Sequence, residues 1–443
     1  MVDTEVVAAA AQAYIYGYPL VYNLSEIEKL PSGESTIFGS PVPWNSFGRV
    51  RKLLDPTAEF VSPNNDTFYL IAPLDLSGGP LVLHVPDTHD RYYVLQFVDA
   101  WTNNFAYIGR RATGTAEAHY LLVPVGYQGE IPAGMTQVEV PSAVAVIVGR
   151  LQVDGASDLA AVHALQNAFT LRPLNEGQPA VTGLPAVSED PRPELAFWDQ
   201  LRAYMAAFPP PAADGEFVAL LTELGVLAED SPLATIDRAS AAVLIEGEKQ
   251  GRAIVDKLAG GSNDHQMWST AKHMFDYNLD RLGLGTIDSP EWKIDDRKKA
   301  YITRAVIARA GLWGNNGYEA NYDFAWADAE GAPLDGLSAY EVTFAPPPPA
   351  EAFWSLTMYD TPRFYLVDNP IGRYSIGDRT PGLRYNDDGS VTLYLQHVAP
   401  GDSRDFNWLP TPAGAFRPVL RTYQPGPAIL DNSYELPDIR KVS

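Results

Sequence analysis

Residues 143–153 read AVAVIVGRLQV. A short run dominated by Val, Ile and Leu, without a repeating polar face, reads as a central β-strand buried on both sides. The same character extends back toward Phe60. LVLHVP (81–86), RYYVLQFVDA (91–100), FAYIG (105–109) and HYLLVPVG (119–126) are rich in Val, Tyr, Leu and Ile, with Gly, Pro and Asp clusters between them. Such runs at short intervals predict an antiparallel sheet or sandwich.

Ahead of them, Thr4 to about Asn23 mixes alanines with aromatics at helical spacing (Ala11, Tyr14, Ile15, Tyr18), while Gly17 and Pro19 argue against helix in its second half. Behind them, SDLAAVHALQNAF (157–169) predicts a helix capped by Ser157, with Leu159, Val162 and Leu165 on one stripe. Prolines at 173, 179, 185, 191 and 193 predict a loop over 171–193. Four helical segments follow: ELAFWDQLRAYMAAF (194–208), GEFVALLTELGVL (215–227), a long one from 231 to 259 opened by Ser231 and Pro232, and DDRKKAYITRAVIARAGLWG (295–314). Strand character then returns in AYEVTFA, FWSLTMYD, YLVDNP and VTLYLQHVAP, with Asn386–Ser390 as a hairpin turn and FRPVLRTYQP (416–425) as a closing strand. The plan is β, α, β: a mainly β (α+β) protein of two antiparallel, sandwich or jelly-roll-like domains joined by a helical segment. Its expected parts are 1–155, with the leading helix, then 156–315, then 316–443. Two units also suit a length of 443 residues, since single cores stop growing at roughly 250–300.

Composition narrows function. The net charge of −23 argues against nucleic-acid and anionic-membrane partners. No cysteine is present, which removes disulfides, thiolate nucleophiles, zinc-thiolate sites and iron–sulfur clusters. No run approaches the roughly 20 apolar residues of a membrane-spanning helix, so no membrane insertion is expected. The first residues, with Asp3 and Glu5 and no basic start, do not read as a signal peptide, which points to the cytoplasm. The sequence lacks G-x-S-x-G, H-E-x-x-H, a phosphate loop and a dinucleotide fingerprint, and its histidines form no spaced metal pair. No organic cofactor is expected. Calcium or another divalent ion on oxygen ligands stays open, as does homo-oligomerisation.

Four polar constellations remain. In SPNNDTFY (62–69), Asn64, Asn65 and Asp66 precede Tyr69 at a strand entrance. A carboxylate beside two amides can orient a hydroxylated ligand or act as a base, whereas Asx-turns would use the same groups to set the backbone. In VDAWTNNFAY, Trp101 and Asn103 suit stacking and hydrogen bonding of a flat ligand, or a core cap and a turn. In the segment leaving the last helix, Tyr318 stands with Glu319, Tyr322 and Asp323. In NPIGRYSIGDRT (369–380), Arg373 and Asp378 offer an anion fork or an internal bridge.

Several stretches, namely SPNNDTFY, RYYVLQFVDAWTNNFAYIG, VGRLQVDG, FWSLTMYD, NPIGRYSIGDRTPGL, DGSVTLYLQH and NWLPTPAGAF, resemble in content and order a two-part bacterial family: a domain of unknown function numbered 1254 followed by one numbered 1214. The resemblance implies two jelly-roll-like β domains with a helical connection and implies little about activity. Many such relatives look exported. The chain departs from the expected pattern at Val144–Val148, Gly372 and Gln424.

Together these readings suggest a small-molecule ligand in a cleft between the β domains. A cofactor-independent hydrolase or lyase would use Asp66 as base, Arg373 to neutralise charge, Asn64, Asn65, Tyr69, Asn103, Tyr318 and Asp378 to bind, and Trp101 to stack. The alternatives are a carbohydrate- or protein-binding module, or a structural envelope protein.

Overall fold

The computed structural model describes residues 3–58, 62–187, 192–227, 235–260 and 266–442. The chain is mostly β with helices added, and its sheets are open rather than closed. The first half contains β1 (Gly48–Arg49), β2 (Thr67–Asp75), β3 (Leu81–Val85), β4 (Tyr93–Asp99), β5 (Asn104–Gly109), β6 (Ala118–Pro124), β7 (Met135–Val140), β8 (Val144–Gln152) and β9 (Thr170–Pro173). One sheet runs β1-β2-β8-β4-β5 and the other β7-β6-β3-β9. Their facing sides share a core in which Leu70, Leu95 and Ile147 meet Leu83, Leu122 and Val138. Strand β8 is central and buried on both faces, as its composition predicts. At Gly149 a Cβ would lie 2.6 Å from the Leu70 carbonyl oxygen, so the strands approach too closely there for any side chain.

The longer helices, among the described residues, are α1 (Thr4–Ser32), α2 (Leu159–Ala168), α3 (Ala196–Ala207), α4 (Gly215–Glu223), α5 (Arg238–Ala259) and α6 (Arg297–Gly311). Helix α1 continues through Gly17 and Pro19 to Ser32. A proline inside a helix costs about 3 kcal/mol, but Tyr14, Leu20, Leu24 and Ile27 are each at most 1% exposed. Burying each of them contributes roughly 1.5–3 kcal/mol, so packing overrides the local signal. Gly17 is itself needed, because a Cβ there would meet Leu201 of α3 at 2.4 Å. Helix α2 begins after a 3₁₀ turn at Ala156–Asp158, with Asp158 rather than Ser157 at its N-cap position. Thr170–Pro173 pairs with β3 where a loop was expected. The described start of α5 is capped by Asp237, whose carboxylate accepts from the backbone N–H of Ala239 and Ser240; the expected Ser231–Pro232 start lies outside the described residues.

The second half contains β10 (Trp268–Thr270), β11 (Ala320–Ala325), β12 (Ala339–Phe344), β13 (Ala350–Asp360), β14 (Ser375–Gly377), β15 (Val391–Gln396), β16 (Trp408–Pro410), β17 (Phe416–Pro425) and β18 (Ile439–Val442). They form the sheets β10-β11-β17-β13-β14 and β16-β15-β12-β18, again with a shared core. Strand β17 is the centre of its sheet rather than a closing edge. The Asn386–Ser390 turn forms around Gly389 (φ 84°), but β15 pairs with β12 and β16, so no hairpin results. Each half also includes one parallel pair, β6–β7 and β15–β16, within otherwise antiparallel sheets. Among the described residues no helix is long and apolar enough to cross a membrane.

A third apolar cluster ties these parts together. It joins Tyr14 and Leu24 of α1 to Tyr69 and Val146 on the outward face of the first large sheet, and to Tyr359 and Val419 on that of the second. Beside it the two large sheets touch directly, Tyr92 and Tyr107 against Phe353 and Tyr423. Helix α1 rests on α5 through glycines: a Cβ on Gly247 would lie 2.3 Å from the Ala10 Cβ, and one on Gly251 2.6 Å from Tyr14 Cδ1. Gly247→Ala should therefore lower the urea-unfolding free energy by roughly 1–3 kcal/mol, although alanine favours an isolated helix by about 1 kcal/mol. Gly215→Ala, where a Cβ meets open space, should be neutral or mildly stabilising. Stabilisation at 247 would contradict the close α1–α5 contact.

Candidate functional site

The polar loop before β2 is held from both sides. Asn64 Oδ1 accepts from the backbone N–H of Asp66 and of Thr67, each at 2.9 Å, and from Thr67 Oγ1 at 3.0 Å. That is an Asx-turn, the backbone use of the side chain. Asn65 Nδ2 donates to the Leu54 carbonyl at 2.5 Å, and its Oδ1 accepts from Ser375 Oγ at 3.4 Å. Asp66 faces the second half of the chain. Its Oδ2 accepts from Ser355 Oγ at 2.7 Å and from the Tyr423 hydroxyl at 3.1 Å. Burial first, and then the Asp66 charge, push the Tyr423 pKa far above the usual tyrosine value, so this hydroxyl is a neutral donor. Further second-half donors complete the clamp: Tyr359 OH to the Pro63 carbonyl at 2.5 Å, Arg421 Nη2 to the Ser62 carbonyl at 2.9 Å, Arg417 Nη2 to Ser62 Oγ at 2.7 Å and Arg379 Nη2 to the Asp66 carbonyl at 3.1 Å.

Behind this clamp lies a cavity of about 600 Å³. Period-two alternation builds one wall, since successive odd or even positions of a strand share a face. Arg417, Val419, Arg421 and Tyr423 of β17 line it, as do Tyr322 and Phe324 of β11. The first large sheet contributes Tyr69 and Arg150, which sit opposite each other on β2 and β8, and Asn64 lies at the strand entrance. Helices α1 and α6 close the remaining side with Tyr22, Leu30, Ile307 and Leu312.

Of the residues singled out from the sequence, Asn64, Tyr69 and Tyr322 line this cavity, while Asp66 stands one layer behind, holding Tyr423 and the loop. The others lie elsewhere. Arg373 donates from Nη1 to the carbonyls of Asp405, Phe406 and Trp408 at 3.0, 3.3 and 2.7 Å, within its own half. Trp101 is 4% exposed, donates to the Phe208 carbonyl at 2.9 Å and packs on Tyr16. Asn103 is tied to Asp99 through its side chain at 2.9 Å. Tyr318 is buried between Tyr107 and Trp292, and its carbonyl accepts from Arg111. Asp378 caps the backbone N–H of Trp354 at 3.2 Å, next to Arg379. These groups make turns and bridges where the sequence allowed either use. Arg150, Arg417 and Arg421 form cavity walls that the site reading overlooked; the available signal was two arginines four apart in a largely apolar strand, hence on one face. Among the described residues no three carboxylate or imidazole side chains converge as metal ligands.

Several buried carboxyls bind protons more tightly than in water. Burial pushes Glu319 up to about 7, against hydrogen bonding from Tyr92 OH at 3.0 Å and the charges of Arg111 and Arg150. Burial also pushes Asp323 and Asp378 up to about 6. A carboxyl with a raised folded pKa carries more protons in the native state than unfolded, so its stabilising effect is full below pH 4–5 and is lost as pH rises through about 7. Glu319→Gln should therefore be the more stable protein at pH 7.5, by on the order of 1–3 kcal/mol, with the gap closing toward pH 4.5. Urea unfolding at both pH values measures this, and parallel pH profiles for the two proteins would contradict it.

Family models match in two places. The one described as "Protein of unknown function (DUF1254)" covers residues 44–173, and "Protein of unknown function (DUF1214)" covers 319–427. No curated protein matches the chain. Among solved structures, the VPA0106 protein of Vibrio parahaemolyticus is 25% identical, with a TM-score of 0.71 over 99% of this chain and 100% of that one. An uncharacterised protein from Burkholderia cenocepacia is 11% identical, with a TM-score of 0.45 over 99% of this chain and 95% of that one. The fold is thus shared end to end with the Vibrio protein. The two matched regions supply the sheet walls of the cavity, and α1 and α6, outside both, close it. The chain belongs to the two-part family of proteins of unknown function in which a DUF1254 region is followed by a DUF1214 region.

Proposed function

We propose that this protein binds a small organic molecule in the cavity between its two β halves. The observation that carries this reading is the cavity itself: about 600 Å³, within the roughly 300–1,000 Å³ range of ligand sites, walled by both large sheets and two helices. A carbohydrate-binding platform of exposed rings has less support, because Trp101 and Tyr318 are only 4% and 6% exposed. A second reading, acid–base catalysis of hydrolase or lyase type without an organic cofactor, is favoured by one contact. Tyr423 lines the cavity and donates to the buried carboxylate of Asp66. Asp66 is then a positioning residue, steadying a hydroxyl beside the ligand, rather than the base that meets it. We also read each β half as a two-sheet, jelly-roll-like sandwich, with units near 1–155 and 316–443 joined by 156–315; the shared core between each pair of sheets supports this.

A thermal-shift screen of metabolites and divalent ions tests the binding reading. A compound at a hundred times its dissociation constant should add about 2.7 kcal/mol of stability. Val419→Trp, which fills the cavity, should abolish that shift, and a shift unchanged in this variant would place the ligand elsewhere. Any hit that is consumed tests the second reading: Tyr423→Phe and Asp66→Asn should retain the shift and slow turnover by about a hundredfold or more. Unaltered turnover in both would remove the catalytic reading and leave binding intact.

A further inference from the structure

The cations around the cavity fall into two groups. At its rim Lys29 meets Glu26 at 2.5 Å and Arg309 meets Asp256 at 2.7 Å. Inside, Arg150, Arg417 and Arg421 are 6%, 6% and 3% exposed, and among the described residues none has a carboxylate within 4.0 Å. A buried arginine without a close counter-ion is costly, since an uncompensated interior charge loses its hydration; of the three, Arg421 feels the Asp66 carboxylate at longer range. They are all the more conspicuous in a chain with 55 acidic against 32 basic residues.

Their partners differ. Arg150 is largely satisfied, with Nη1 on Gln96 at 2.9 Å and Nη2 on the Trp313 carbonyl at 2.8 Å. Arg421 donates to Thr357 Oγ1 at 3.0 Å and to the Ser62 carbonyl. Arg417 has one bond, Nη2 to Ser62 Oγ; its Nε is buried with no partner, and Nη1 has none among the described residues. Its guanidinium lies 3.8 Å from the Phe364 ring centroid and 4.8 Å from that of Phe324, so π-faces hold the cation without neutralising it. Burial lowers its pKa to about 9, which leaves it charged at neutral pH. Asn64 Nδ2, a donor on another cavity residue, is also buried without a partner. Away from these donors the lining includes the apolar Leu30, Ile37, Met274, Phe275, Ile307 and Leu312, together with the polar Glu26, Glu34 and Ser269.

We propose that the ligand is an amphipathic organic acid, whose single oxyanion head, carboxylate or phosphate, sits against Arg417 and Arg421 while its apolar body lies along the α1 and α6 side. This rests on the cavity being a small-molecule site and names the class of compound it takes. The oxyanion supplies the missing counter-charge, and a charge-assisted bond to a guanidinium is stronger than a neutral one.

Calorimetry on the full chain tests it with straight-chain carboxylates from butanoate to dodecanoate, the matching primary amides, and octyl phosphate. The best carboxylate or octyl phosphate should bind at least about tenfold more tightly than the amide of equal length; which head binds better identifies it. Arg417→Gln should erase that preference, bringing the acid's affinity down to that of the amide of equal length. Amides binding as tightly as both kinds of acid, or Arg417→Gln retaining the full preference, would overturn the proposal while the cavity remained a binding site. Should Arg417→Gln fail to fold, the acid-against-amide comparison in the unmodified protein still decides. Silence from acids, amides and the wider metabolite screen alike would defeat the binding reading itself.

Discussion

The segment Ser62–Thr67 has to satisfy its backbone and its charge using groups several hundred residues away. Asp66 is 5% exposed, and its carboxylate is bonded by hydroxyls on Ser355 and Tyr423, 289 and 357 positions further along the chain. A buried carboxylate with its donors removed costs several kcal/mol, so these bonds oblige the two β halves to meet at this loop. Tyr359 and Arg421 then bond the carbonyls of Pro63 and Ser62. Each large sheet thereby presents its outward face to the same space, and α1 and α6 cover what remains.

That arrangement gives β17 two environments. Phe416 and Leu420 point into the core of the second half, while Arg417, Val419, Arg421 and Tyr423 point the other way, toward the cavity. On an ordinary antiparallel sheet the outward face would meet water, and arginines there would need no explanation. Here that face is covered, so the same residues become interior cations with few partners. The cavity accordingly has two buried guanidinium groups and several rings on its sheet floor, and apolar side chains such as Leu30 and Ile307 on its helical side.

The clamp and the cavity also divide the labour among polar groups that look alike in the sequence. Asn64 sets the turn, Asn65 ties the loop to Leu54 and Ser375, and Asp66 reaches across the junction. Arg373 and Arg417 both sit in second-half segments rich in Pro and aromatics. Three carbonyls of the 405–408 turn absorb Arg373, whereas Arg417 is held by one serine and aromatic faces.

Much of the local structure was legible because it rests on near-neighbour physics. The apolar run at 143–153 marked a central strand, and Gly389 marked a turn. The stripe Leu159, Val162 and Leu165 marked a helix whose apolar face meets the first core. The α1 continuation past Pro19 was not legible, because contacts with α3 and α5 outweigh the proline penalty and no local signal encodes them. The site was legible only in part. Asn64 and Tyr69 reach the cavity, whereas Trp101, Asn103, Tyr318 and Arg373 found nearby backbone or ring partners that spacing alone could not foresee. The sequence by itself determined most of the long strands and helices and which residues carry charge. Only the tertiary structure decided which of those charges are left short of partners, because that depends on which faces are brought together and closed to water.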